Sequence, residues 1–345
     1  MKSLVYYGPQ DLRLEERPIP SPKKGEVLIK IHAVSVCGSD LGAYRLPEVS
    51  DRWAPPLVLG HEFSGEIAAL GEGVENFKLG QAVTANPILY CGECYYCKRG
   101  LINLCTHRQS LGTSIGGAAQ DGAMQEYMTI RASALIPLMK GVSYVQGALL
   151  EPLAVSLVAA RNGDFGDDER VAIIGAGPIG LMILSFLKAT GNKEVYISDL
   201  LPSRLQKAIQ LGADKAISGR DDVVQTIKDL TDGIGVDRVI IAAGAPGVME
   251  DALKMVRSGG RVVMVALIHH TAEIDLMPIV ARQISILGSY MFTNEMQDVM
   301  QMIADKKLNV DELVTSTHPL KDGKKVFDVL CGPTCNKVKV ILTNE

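Results

Sequence analysis

Four of the seven cysteines in this 345-residue chain crowd into one loop, as Cys91, Cys94, Cys97 and Cys105 with the spacing C-x2-C-x2-C-x7-C. Four thiolates on so short a segment suit a closed tetrahedral zinc with no open coordination position, a metal that holds structure. Bacterial ferredoxins begin with similar spacing, so an iron-sulfur cluster is the rival reading. The last gap of seven residues, and Thr106 where a proline would follow, weigh toward zinc. A second motif is Gly175-Ala176-Gly177-Pro178-Ile179-Gly180, which follows the apolar run Val171 to Ile174 and opens an apolar helical pattern. That context is what a dinucleotide fingerprint requires. The first glycine permits the tight turn, the second admits the pyrophosphate, and the third lets helix pack on strand. Asp199 ends the next strand, 24 positions after Gly175, where a carboxylate accepts bonds from the adenosine ribose hydroxyls and favours NAD. Arg204, five residues on, is placed to offset a 2'-phosphate or to cover the adenine.

Other potential ligands are scattered: Cys37 in Val36-Cys37-Gly38-Ser39-Asp40, the pair His61-Glu62 after Gly60, and Glu151 before Pro152. Spacing alone does not join them. Taken singly, Cys37 reads as a small buried hydrophobe, His61 as a satisfied core histidine and Glu151 as a helix surface charge.

The elements that must position these residues fall into three stretches. The first 130 residues carry short alternating or β-branched runs broken by glycine and proline, at Glu26 to Val36, Phe63 to Leu70, Gln81 to Ala85 and Met124 to Ile130. Such a pattern predicts irregular antiparallel sheet. Tyr144 to Arg161 has helical spacing and is expected to form one connecting helix, ended by Asn162-Gly163. Strands and helices then alternate in βαβ rhythm from Arg170 to Ala266, which predicts a doubly wound parallel sheet. Alternation in Arg282 to Tyr290 suggests a strand able to pair across a subunit interface. The tail, with helices near Glu295 to Lys306 and Lys324 to Leu330 and a closing strand at Lys337 to Leu342, is too short to fold alone and is expected to return to the β-rich part.

In its Gly60-His61-Glu62 signature, Cys-Gly-Ser-Asp segment, four-cysteine lobe, Glu151-Pro152 step and glycine fingerprint, all in family order, the chain resembles the zinc-dependent medium-chain dehydrogenases over essentially its whole length. Within them it looks most like the polyol branch, because Glu151 stands where ordinary alcohol dehydrogenases usually place a cysteine ligand. The resemblance implies an α/β protein with a GroES-like β-rich catalytic domain and an inserted Rossmann domain. Residues 1–153 would form the catalytic domain with its zinc lobe at 91–105, residues 154–288 the NAD domain, and 289–345 the return to the catalytic domain. It implies two zinc ions per subunit, one structural and one catalytic, the latter held by Cys37, His61 and Glu62 with Glu151 as an additional or exchangeable ligand. Adjacent strand residues point to opposite faces, so His61 and Glu62 reach one ion only if the backbone turns there; otherwise Glu62 orients His61 from behind. Ser39 occupies the family position that takes the substrate proton. Many relatives finish the relay with a histidine five residues after the cysteine, but this chain has Gly42, which leaves Tyr44, the cofactor ribose or water. The implied activity is NAD-dependent oxidation of a secondary alcohol of a polyol or sugar alcohol, phosphorylated or not, to a ketone. Threonine or butanediol oxidation is the enzymatic alternative, and a nucleotide-binding structural or sensor protein the non-enzymatic one. The resemblance also implies a homodimer or homotetramer.

Composition narrows the partners. Thirty-five Lys and Arg against 39 Asp and Glu give a formal charge of -4, with no basic footprint for nucleic acid. No apolar run reaches the roughly 18 residues that a membrane-spanning helix needs. The N-terminal residues lack the apolar stretch and cleavage site of a secretory signal, so a cytoplasmic location is expected. His269-His270 and the Cys331 to Cys335 segment carry no expected catalytic role: the first reads as a solvent-facing loop pair, the second as incidental thiols.

Overall fold

The computed structural model describes residues 1–46, 53–113, 118–164, 166, 168–191, 194–268, 270–332 and 336–344. The chain divides into two compact units, Met1–Pro152 with Met296–Lys306 and Val310–Glu345, and Leu153–Glu295 with Lys307–Asn309.

In the first unit the central element is the ten-residue strand Glu26–Ser35, whose apolar residues Val27, Ile29, Ile31 and Val34 are buried in one continuous core. Along one edge it pairs antiparallel with Glu62–Leu70. On the other edge its first half pairs with Tyr127–Arg131 and its last three residues with Lys339–Thr343. Among the described residues the sheet runs in the order Leu135–Pro137, Ala82–Ala85, Glu62–Leu70, Glu26–Ser35, Lys339–Thr343 and Val314–Pro319. The C-terminal strand therefore completes a sheet begun by the N-terminal residues, because the tail has no core of its own and buries Val340, Ile341 and Leu342 there.

The second unit is a six-stranded parallel sheet in the order Lys215–Ser218, Glu194–Asp199, Arg170–Ile174, Val236–Ile241, Val256–Met264 and Ser285–Gly288. The central strands read as near-continuous apolar runs because helices cover both faces of such a sheet. The chain enters at the middle strand, Arg170–Ile174, and the order reverses beside it, which is where doubly wound sheets bind nucleotides.

Two expectations need correction. The stretch Tyr144 to Arg161 is two helices, Tyr144–Ala148 and Leu150–Asn162. Pro152 is the cause: it has no N–H to donate to Ala148, and its ring collides with that carbonyl in a continuous helix. The resulting break puts Glu151 in the first turn of a new helix. The strand expected over Arg282 to Tyr290 is only Ser285–Gly288, because Arg282 closes the short helix Met277–Ala281 and donates to the Leu253 carbonyl.

Candidate active site

The cysteine lobe assembles as a small tetrahedron. Sγ to Sγ separations are 3.5 Å for Cys94–Cys97 and Cys91–Cys105, and 3.9 Å for Cys91–Cys97 and Cys94–Cys105. A disulfide needs sulfurs about 2.05 Å apart. Four thiolates around one zinc, each at about 2.3 Å, stand about 3.8 Å apart, so the lobe fits a single ion. A multi-iron cluster placed between the sulfurs would hold them farther apart, which removes the iron-sulfur alternative. Backbone amides prepare the thiolates: the Cys94 N–H donates to Cys91 Sγ, and those of Cys91 and His107 to Cys105 Sγ. Backbone N–H groups of Cys97 and Thr106 hold the Cys94 thiol down at about 5, while burial pushes Cys97 up to about 12.

The second cluster follows from strand register. Ser35 pairs with Glu62 across antiparallel strands, so Val36-Cys37 leaving one strand and Gly60-His61 entering the other emerge from the same end of the sheet. Gly60 has φ +98, and a Cβ there would meet Met124 Cγ at 2.9 Å. That left-handed residue turns the chain immediately before the strand starts at Glu62, so His61 lies outside the regular pleat. This resolves the opposite-face problem. Ligand atoms of Cys37, His61 and Glu62 all lie within 4.8 Å of one another, and His61 and Glu62 are buried. Cys37 caps the helix Gly38–Arg45, and its N–H donates to Asp40 Oδ2 at 3.0 Å. Asp40 Oδ1 lies 3.7 Å from His61 Nδ1.

Electrostatics show why this cluster suits a cation. Cys37, Asp40, Glu62 and Glu151 bring four acidic groups into one buried region. Burial pushes Asp40 up to about 6 and Glu151 up to about 7. Burial and the Glu62 charge likewise push the Cys37 thiol up. Burial opposes a charge on His61, yet Cys37 and Asp40 outweigh it and push the imidazole well above its ordinary range. Among the described residues, Asp40 Oδ1 and His61 Nδ1 are buried without a hydrogen-bond partner. A divalent ion reverses each of these costs. The donor set of thiolate, imidazole and carboxylate is also one that zinc accepts. Glu151 stands outside the three-residue cluster but feels the charges of His61 and Glu62.

One charged group was missed in the sequence. Lys339, 2% exposed, donates to Glu62 Oε2 and, at 3.2 Å, to the Val36 carbonyl. Its only signal was a lysine at the head of the apolar run Val340 to Leu342.

The glycine fingerprint shows three distinct environments in the second unit. Gly175 has φ +103, with Ala243 Cβ only 2.7 Å from where a Cβ would stand. A Cβ on Gly180 would collide with the Gly175 carbonyl oxygen. At Gly177 a Cβ would meet nothing within 4 Å among the described residues, which leaves open space at the N-terminus of the helix Pro178–Ala189. Unsatisfied amides and the helix dipole make that space receptive to phosphate. Pro178 at the first helical position has no N–H to lose, and Ile179 follows it into the helix. Asp199 Oδ2 accepts the Ala176 N–H and Oδ1 the Leu201 N–H, each at 2.9 Å, while Arg204 lies 3.5 Å away. The carboxylate thus ties the glycine turn to the neighbouring strand, and its remaining lone pairs fit a ribose diol.

Ser39 lies half-buried in the first turn of the helix that Cys37 caps. Tyr44 does not fit the proton relay considered for it: its hydroxyl donates to Asp328 Oδ1 at 2.5 Å and receives Lys324 Nζ at 3.3 Å, within a half-exposed ion pair. His270 is exposed, and Cys331 packs against the core of the first unit. His269 and Cys335 lie outside the described residues.

Comparison with known proteins agrees with the geometry. Residues 23–140 match the alcohol dehydrogenase GroES-like domain, and residues 178–305 the zinc-binding dehydrogenase domain. The chain is 35% identical to sorbitol dehydrogenase of Bacillus subtilis over 95% of its length and 93% of the relative's. It superposes on the 2R,3R-butanediol dehydrogenase of Bacillus subtilis with a TM-score of 0.89 and 32% identity, covering 100% of this chain and 99% of the other. An alcohol dehydrogenase from Escherichia coli CFT073, complexed with NADH, gives a TM-score of 0.91 at 30% identity with the same coverage. The chain belongs to the polyol branch of the zinc-dependent medium-chain dehydrogenases and is an oxidoreductase of the NAD- and zinc-dependent kind.

Proposed function

We propose that this enzyme oxidises a secondary hydroxyl of a polyol or sugar alcohol to a ketone, passing the hydride to NAD. The observation that carries the reading is the buried cluster of Cys37, His61 and Glu62 beside Glu151. Cys37, His61 and Glu62 would hold the catalytic zinc, with Glu151 as an exchangeable ligand. When bound, zinc supplies Lewis acidity that makes an alcohol acidic near neutral pH. Asp40 orients His61 and stabilises its ring, as carboxylates behind metal-bound histidines do. Ser39 accepts the hydroxyl proton and passes it to solvent, since Tyr44 is engaged elsewhere and position 42 is glycine. Gly175, Gly177 and Gly180 shape the phosphate cradle, Asp199 accepts the ribose hydroxyls, and Arg204 covers the adenine side. Cys91, Cys94, Cys97 and Cys105 hold the structural zinc. In this reading the first unit is the catalytic domain and the second the NAD domain.

Sorbitol dehydrogenase among the relatives supports a polyol substrate, and butanediol dehydrogenase supports a vicinal diol as the second reading. A panel of sorbitol, other polyols, polyol phosphates, 2,3-butanediol and threonine, followed by NADH absorbance, tests it. Polyols giving the highest kcat/KM is the expected result; turnover of threonine or butanediol alone overturns the polyol assignment. The enzyme is further proposed to be a homodimer or homotetramer joined at the edge strand Ser285–Gly288, beside the exposed Leu276, Met277 and Val280. A cytoplasmic location suits its clustered thiols. Among the described residues no helix is long and apolar enough to cross a membrane.

A further inference from the structure

We propose that Lys339 is a positioning residue for Glu62: its buried ammonium holds that carboxylate and keeps it a weak, displaceable ligand of the catalytic metal. The inference rests on the assignment of zinc to Cys37, His61 and Glu62.

Placement is set by the sheet. Ile341 pairs with Ser35 in antiparallel register, and the Val36 N–H donates to the Val340 carbonyl at 3.0 Å. Continuing that register sets Lys339 opposite Cys37, while Glu62 enters from the other neighbour of the same strand. Three strands thus bring a thiol, a carboxylate and an ammonium to one point. A lysine that is 2% exposed is costly unless paired, and its bonds here go to Glu62 and the Val36 carbonyl.

That charge changes the balance at the metal. A thiolate, a carboxylate and a neutral imidazole cancel a dication formally, which would leave little attraction for negative charge developing on a substrate hydroxyl. Lys339 restores one positive charge. Its bond to Oε2 also occupies lone pairs that the metal would otherwise use, so Glu62 is held less firmly in the coordination sphere. A lysine that served only to pin the strand end would act on folding and would not act through Glu62.

The test compares wild type, Lys339→Met, Lys339→Arg, Glu62→Gln and Glu62→Gln/Lys339→Met, each loaded with zinc. Metal content and the rate of zinc transfer to a chromogenic chelator are read together with kcat and KM. Lys339→Met is expected to release its catalytic zinc about tenfold more slowly, the scale on which groups behind metal ligands act. Its kcat should fall while KM for NAD is unchanged. Lys339→Arg should match wild type, and in the Glu62→Gln background the loss of Lys339 should leave release nearly unaltered. Zinc release at the wild-type rate or faster in Lys339→Met overturns the proposal, as does equal slowing in the Glu62→Gln background. Lys339→Gln, which retains a donor for the Val36 carbonyl, is read in the same way if the methionine variant does not fold. Wild-type protein holding a single zinc that Cys37→Ala retains would instead refute the underlying metal assignment.

Discussion

Replacing Gly177 and Gly180 separately with alanine should split cofactor binding from stability. Gly177 has φ -71 and ψ -179, an ordinary extended conformation, and a Cβ there meets no atom of the described residues within 4 Å. Alanine is a poorer N-cap than glycine by about 0.5–1 kcal/mol. It also reduces the entropy of the unfolded chain by about 0.4–1 kcal/mol, so the two nearly cancel. Gly177→Ala should therefore melt within about 2 °C of wild type. Its methyl group nevertheless enters the space proposed for the pyrophosphate, and NADH should bind at least about tenfold more weakly, about 1.4 kcal/mol. Gly180→Ala meets fixed backbone: the Gly175 carbonyl oxygen in collision and its carbon at 3.1 Å. Overpacking of this kind costs about 3 kcal/mol at the upper end. The gain of about 1 kcal/mol from alanine inside a helix offsets part of it. A net loss of about 2 kcal/mol lowers Tm by roughly 4–8 °C. Circular dichroism melts and NADH fluorescence titrations read both quantities. Unchanged NADH affinity in Gly177→Ala, or an unchanged Tm in Gly180→Ala, would refute the assignment of the two glycines.

Cys37→Ala should lose one zinc per chain and all turnover with the fold retained, whereas Cys94→Ala should lose the other zinc and chiefly lower Tm; metal analysis with thermal melts checks both, and identical behaviour would contradict the division. Asp199→Ala should lower the preference for NAD over NADP, measured as the ratio of kcat/KM values, with unchanged selectivity counting against its ribose role. For Asp237, burial raises proton affinity, but the Arg257 guanidinium and the Arg170 N–H outweigh it and hold the carboxyl below its usual range. A depressed folded-state pKa contributes stability above the unfolded value of about 3.9 that is lost as pH falls through the folded value. Asp237→Asn should therefore lower Tm at neutral pH and flatten the loss of stability below about pH 4, whereas a parallel shift at every pH would argue against the charge.

The residues most legible in sequence were those whose partners are local. The cysteine lobe spans Cys91 to Cys105, so its spacing already described a tetrahedron. The glycine turn and Asp199 belong to consecutive elements of one βαβ unit, and the parallel sheet followed from their rhythm. The cluster of Cys37, His61 and Glu62 was legible only through family resemblance, because Cys37 and His61 meet through the register of two strands that sequence does not give. Lys339 was missed because its partner Glu62 lies 277 residues away and its alternation with Lys337 reads as the solvent-facing side of a strand. The helix break at Leu149 was hidden for another reason: the apolar spacing of Tyr144 to Arg161 continues through Pro152, and the backbone cost of that proline leaves the side-chain pattern intact.

In the proposed mechanism a metal held by Cys37, His61 and Glu62 makes a polyol hydroxyl acidic enough to lose its proton, so that the carbon bearing it can give hydride to NAD. Polyol-dependent NADH formation, measured on wild-type enzyme before chelator treatment, after removal of the labile zinc and after its return, tests that claim most directly. Activity should vanish with the labile metal and come back with about one equivalent of zinc per chain, while NADH binding stays unchanged throughout. Undiminished polyol oxidation by the stripped enzyme would contradict the account.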